Sequence, residues 1–312
     1  MKPIIVILCL FATLGQVAGQ SDKKGVFTED QQRHLEVMED SLAVFAYGML
    51  TDTSADRRFL YCRTFIPLLV ETLKTPHSFD YPFSELESIS IQYPPDSSFR
   101  IFTWQLYVDA DDYRYFGSIQ FNQENLKLIP LVDRSFQVED LEQDLLFPES
   151  WYGSVYYNIR EAKGPQGTYY LLFGFDAYEF FRKRKVVDVL SFDQEGKPYF
   201  GMPVFRKEGS PQTKNRLLLE YYAEASVRLN YDDMLELLMY DHLIEMQGPA
   251  SAGPVMVPDG SYEAYQLGAD GYWYHQDKVF DQISEEAPRP FPVLDGDKDK
   301  DIFGNRKKSK NE

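Results

Sequence analysis

Between Trp151 and Arg206 four short apolar segments follow one another: Trp151–Ile159, Thr168–Phe175, Lys185–Phe192 and Pro198–Phe205. Lys163-Gly164-Pro165-Gln166-Gly167, the charged link Asp176–Arg184 and Asp193-Gln194-Glu195-Gly196 separate them. Tyr, Phe and Val suit a pleated, half-buried surface, and Gly, Pro and Asp break it, so the stretch reads as consecutive antiparallel strands. The same texture extends on both sides. Ser88–Tyr93, Arg100–Val108, Arg114–Asn122 and Leu126–Asp133 form one group of strands, with Asp109-Ala110-Asp111-Asp112 as its clearest turn. Arg216–Tyr222, Ser226–Asn230, Leu235–Tyr240, Ser261–Leu267 and Tyr272–Phe280 form another. Gln137–Leu146 reads as a short acidic helix or loop, and Gly248–Gly260 as a loop rich in Gly, Pro and Ala. The groups 88–133, 151–206 and 216–280 share no residue-level repeat.

The period is different before residue 88. Thr28-Glu29-Asp30-Gln31 is a capping box, followed by Leu35, Met38, Leu42, Phe45 and Met49 at helical spacing. Thr53-Ser54-Ala55-Asp56 opens a second helix with Phe59, Cys62, Ile66, Leu69 and Leu73 as its stripe, and Pro67 is expected to kink or split it. The fold expected is mainly β, an amphipathic helical hairpin (28–76) packed on a long antiparallel β-meander (88–282). A sandwich-like arrangement is preferred, with propeller-like blades as the alternative.

Residues 1–19 have the layout of a signal peptide: Lys2, the apolar run Ile4–Leu14, then Val17-Ala18-Gly19. Cleavage is expected after Gly19, followed by a flexible polar segment over 20–27. The chain is therefore expected to be exported, to the periplasm, cell surface or exterior. Cys9 follows Leu8 inside the apolar run, which does not suit a lipid-attachment site, and its loss would leave Cys62 without a disulfide partner. No later stretch is long and apolar enough for a transmembrane helix. Lys and Arg total 32 against 49 Asp and Glu, a net charge of −17. This balance argues against nucleic acid and anionic membranes as partners. The Pro-rich and charged segment 285–312 reads as a tail without a core of its own.

Trp151-Tyr152-Gly153 with Tyr156-Tyr157, Tyr169 to Asp176, Val187-Asp188-Val189-Leu190, and Gly196-Lys197-Pro198 form one set of strand and turn signatures. Glu220-Tyr221, Asn230-Tyr231-Asp232, Asp241-His242-Leu243 and Pro258-Asp259-Gly260-Ser261-Tyr262 continue it. Over its second half the chain resembles functionally uncharacterised secreted proteins of the Bacteroidota. In that pattern Gly and Asn follow the Asp at 176, where this chain has Ala177-Tyr178. The resemblance implies export and a β-rich fold, and no activity.

Catalytic signatures are sparse. The 4 His, at 34, 77, 242 and 275, show no metal-binding spacing, and no Gly-x-Ser-x-Gly elbow is present. Asp295–Asp301 alternates carboxylates but lacks the Gly and Glu of a calcium loop. No cofactor and no metal site are expected. Acidic residues gather at turns, among them Asp109, Asp111, Asp112, Asp176, Glu179, Asp232, Asp233 and Asp241. The 22 Tyr and 23 Phe instead suggest binding surfaces besides a core. In Trp151–Ile159, alternation places Tyr152 and Tyr156 opposite the core-facing residues. Tyr152, Tyr156, Tyr170 and Tyr178 are accordingly the candidate ligand-binding residues. The function expected is that of an exported, non-catalytic binding or envelope-associated module for a glycan, a peptide or an envelope protein. The alternative is a secreted hydrolase of glycans or peptides using carboxylates, with Asp241 and His242 as candidate catalytic residues.

Overall fold

In the computed structural model, which describes residues 26–279 apart from 165, 211, 250, 251 and 278, the Thr28 capping box is formed on both sides. It opens helix α1 (Glu29–Thr51), and Leu35, Leu42, Ala46 and Met49 form the buried stripe. Helix α2 (Ala55–Leu73) returns against it and buries Cys62, Phe65, Leu69 and Leu73. Pro67 lies within this one helix and does not split it. At Gly48 a Cβ would come within 2.7 Å of the Tyr61 ring, so glycine lets the two helices approach. The expectations for residues 1–19, 20–25 and 285–312, including the Asp295–Asp301 run, fall outside the described residues.

Fourteen strands follow among the described residues, in three sheets. The first joins β1 (Ser90–Gln92), β2 (Phe99–Asp109), β3 (Asp112–Phe121) and β4 (Leu128–Val132) in sequence order. The second has the order β10 (Leu217–Tyr222), β7 (Arg182–Phe192), β6 (Gly167–Asp176), β5 (Val155–Gly164), with β8 (Pro198–Phe200) also on β7. The third has the order β11 (Leu229–Asp232), β12 (Leu237–Gln247), β13 (Pro254–Leu267), β14 (Trp273–Gln276), β9 (Phe205–Arg206). All strand pairs are antiparallel except β14–β9, which is parallel. The sheets follow the three sequence groups with one exchange. β9 leaves the second group for the edge of the third sheet, and β10 crosses back to the second.

Alternation along the strands makes these sheets into layers. On β2, Phe102, Trp104 and Leu106 face the helices, while Phe99 and Ile101 face the second sheet. On β6, Tyr170 and Leu172 pack toward the first sheet, whereas Tyr169, Leu171 and Phe173 pack with Leu229, Leu238, Tyr265 and Trp273 of the third. The protein is thus mainly β, with a helical hairpin packed on stacked antiparallel sheets. Sheets packed face to face in this way are a sandwich arrangement, not blades.

Two local expectations are corrected. Residues 254–260, read as loop, belong to β13. Pro254 and Pro258 are tolerated because β14 pairs only with residues 264–267, so this half of β13 has one unpaired edge where a missing N–H costs nothing. The segment from Trp151 enters the sheet only at Val155, and a register shift between Tyr156 and Asn158 breaks its alternation.

Candidate functional site

The turn between β2 and β3, the segment after β4 and the link between β6 and β7 meet at one end of the sheets. Asp111 Oδ1 accepts the Phe180 backbone N–H at 2.9 Å and ties the first turn to that link. Gly153 allows the approach, because a Cβ there would fall 2.4 Å from Tyr115 Cβ. Around this junction lies a pocket of about 230 Å³, lined by Asp111, Asp112, Tyr113, Asp133, Phe136, Tyr152, Tyr178 and Arg184, among others.

Asp176 anchors its back wall. The Tyr115 hydroxyl donates to Oδ1 at 2.9 Å, the Tyr152 hydroxyl donates to Oδ2, and the Tyr178 N–H donates to Oδ1 at 2.8 Å. Burial raises the Asp176 carboxyl above the usual carboxylate range, against the lowering effect of these donors. Burial, with the Asp176 charge as the next cause, also holds the Tyr115 and Tyr152 phenols well above their ordinary value, so both stay protonated donors. Arg184 donates to the Tyr152 hydroxyl at 3.2 Å and pairs with Glu220 at 2.8 Å. Its guanidinium stacks 3.3 Å from the centroid of the Tyr178 ring. Tyr178 itself has φ 48°, a left-handed conformation that bulky residues seldom adopt.

The structure divides the four candidate tyrosines. Tyr152 and Tyr178 come together in this pocket, Tyr152 as a buried part of the wall and Tyr178 partly exposed. Tyr156 is fully buried, accepting from the Trp151 indole at 2.8 Å and donating to Asp188 at 3.2 Å, and Asp188 pairs with the buried Arg216 at 2.7 Å. Tyr170 is buried against Phe99 and donates to Asp96 at 2.8 Å. Of the two outcomes open for this segment, an exposed aromatic face or ordinary core residues, burial of Tyr152 and Tyr156 gives the second. Arg184 and Phe136 were missed. Arg184 was hidden in a link read only as a charged turn, although its position close after the Tyr178 turn was a usable signal.

Asp241 and His242 diverge. Asp241 is buried, and Oδ2 accepts the Arg228 N–H at 2.6 Å. His242 Nδ1 meets Asp259 Oδ2 at 2.9 Å. His242 Nε2 lies 3.6 Å from Glu263 Oε1, and Glu263 Oε2 lies 2.7 Å from His275 Nε2. The Tyr240 hydroxyl donates to the same Glu263 oxygen at 2.6 Å. Burial raises Glu263, but the Tyr240 and His275 hydrogen bonds outweigh it and hold the carboxyl below its ordinary range. This row of carboxylates and imidazoles can hold and pass protons. Ser261 Oγ bonds Asp259 Oδ1, the far side of that carboxylate from His242, so the three do not form a nucleophilic triad. Among the described residues no three His, Cys, Asp or Glu converge as a metal site requires.

The chain matches no family model, no curated protein and no solved structure. Among the described residues no helix is long and apolar enough to cross a membrane.

Proposed function

We propose that the chain is an exported binding protein whose pocket at Tyr178 takes a hydroxylated ligand, with a glycan as the class that fits. The observation that carries this reading is Tyr178. A bulky aromatic is kept in a left-handed turn, at a cost of about 1–2 kcal/mol, by Asp176 beneath its N–H and Arg184 against its ring. Such strain is held where a side chain must be presented in one orientation. Aromatic faces at Tyr178 and the 69% exposed Phe136 suit stacking on a sugar ring. The exposed carboxylate of Asp111 and the partly exposed one of Asp112 can accept hydrogen bonds from hydroxyl groups, and Arg114, paired with Asp112 at 3.2 Å, can donate. Export rests on the layout of residues 1–19 and on the resemblance to secreted proteins.

The test is a glycan array with the wild-type chain, Tyr178→Ala and Phe136→Ala, with thermal stability measured beside it. Loss of a bound glycan in both variants, with folding retained, is the expected result. A glycan bound equally by all three, or none bound by the wild type, sinks the assignment. The hydrolase alternative rests on the His242 row. Turnover of a glycan or peptide that disappears in His242→Ala would replace the binding reading with it.

A further inference from the structure

A second cavity, of about 260 Å³, lies between the last turns of α1, the residues entering β1, and strands β2, β5 and β6. Met49, Leu50, Ile89, Trp104, Val155 and Phe175 line it, with Tyr157 to one side. Its size lies just below the usual range of small-molecule sites, with room for a short acyl chain or a single ring. Leu50, 66% exposed, stands at its lip.

The apolar floor runs toward a cation. Val155 pairs with Phe175 across β5 and β6, and Phe175 pairs with Lys185 across β6 and β7. Directly opposed partners share a face, so Lys185 follows Val155 and Phe175 in one cross-strand row and stands beside the cavity, next to its lining residues Phe175 and Tyr157. Its ammonium stands 4.9 Å from the centroid of the Tyr157 ring, and this ring contact is its one close partner among the described residues. Burial lowers Lys185 below the ordinary lysine value, and Asp241 acts on it only at a distance, as for an ammonium without a close counter-ion. An apolar slot with a partly buried, carboxylate-free cation beside its Tyr157 wall matches an anion with an apolar tail.

We propose that this crevice binds a small carboxylic acid, its tail between Met49, Trp104 and Phe175 and its carboxylate on Lys185. The site is separate from the Tyr178 pocket and does not depend on the function assigned to that pocket. The carboxylate supplies the counter-ion that Lys185 lacks, and the tail displaces water from apolar walls. A neutral or cationic ligand of the same shape gains nothing from Lys185.

Octanoate titrated into the full chain tests this, read by calorimetry and by tryptophan emission. Trp104 lines the cavity, while Trp151 and Trp273 are buried in other parts of the core. The expected result is saturable binding with a change in emission. Lys185→Gln should weaken it about tenfold or more, Lys185→Arg should keep it, and Leu50→Glu, at an exposed lip position, should weaken it through charge repulsion. Circular dichroism establishes that each variant is folded. Absence of saturable octanoate binding by the wild type overturns the proposal. So does equal affinity in Lys185→Gln, or, should that variant not fold, equal affinity in Leu50→Glu.

Discussion

The hydrogen bonds that Tyr240 and His275 make to Glu263 favour its ionised form, and they set the sign of its pH dependence. Its folded pKa lies below its ordinary value near 4.5. The stabilisation is therefore full above that value and is lost as the pH falls through the lower, folded one. Glu263→Gln should lower the melting temperature at neutral pH, and the difference from wild type should vanish in acid; a difference that persists unchanged at low pH contradicts this assignment. At Cys62 burial pushes the thiol up to about 11, so both access and ionisation oppose reaction. Native protein should react with a thiol reagent far more slowly than unfolded protein, and equal rates would contradict the burial. The Cys62 environment was legible in the sequence because helical spacing reports one face of one element. The fates of Tyr152 and Tyr156 were not, because whether a strand face meets solvent depends on which distant strands cover it.

The second sheet is held internally by the Asp188–Arg216 pair, at 1% and 0% exposure, which joins β7 to the residue preceding β10. Arg216 also donates to the Leu141 carbonyl at 2.5 Å, so the segment between the first two sheets is fastened to the same group. Asp188→Ala leaves a guanidinium buried without its charge partner and should cost about 3–5 kcal/mol, measured by denaturant unfolding. The double variant Asp188→Leu with Arg216→Met should recover much of that loss, since it removes both charges. If the double variant is as unstable as the sum of the singles, the pair is not coupled. Helices and hairpins were readable at this scale, because capping, period and turn residues are local. The strand character of 254–260 was not, because Pro and Gly there are permitted only by an edge that pairing elsewhere creates.

At the scale of the molecule, the helices form a layer and not an appendage. Phe102, Trp104 and Leu106 are buried against Leu42, Met49, Phe65 and Leu69. Deleting residues 20–74 exposes that face of the first sheet, and the remaining chain should lose cooperative unfolding and aggregate. A monomeric, fully folded 80–285 fragment would show the helices to be independent. The grouping of strands into three sets was visible in the sequence, but their stacking order was not, since it depends on which faces find one another. Nor was the exchange of β9 and β10. That exchange bears on proteolysis. The exposed residues 207–210, in the link between β9 and β10, are the accessible place for a protease to nick the chain. A nick there would leave β9 on the first fragment clasped to β14 of the second, and β10 of the second clasped to β7 of the first. The severed halves should therefore travel together on a sizing column and separate only in denaturant, each closing the other's sheet.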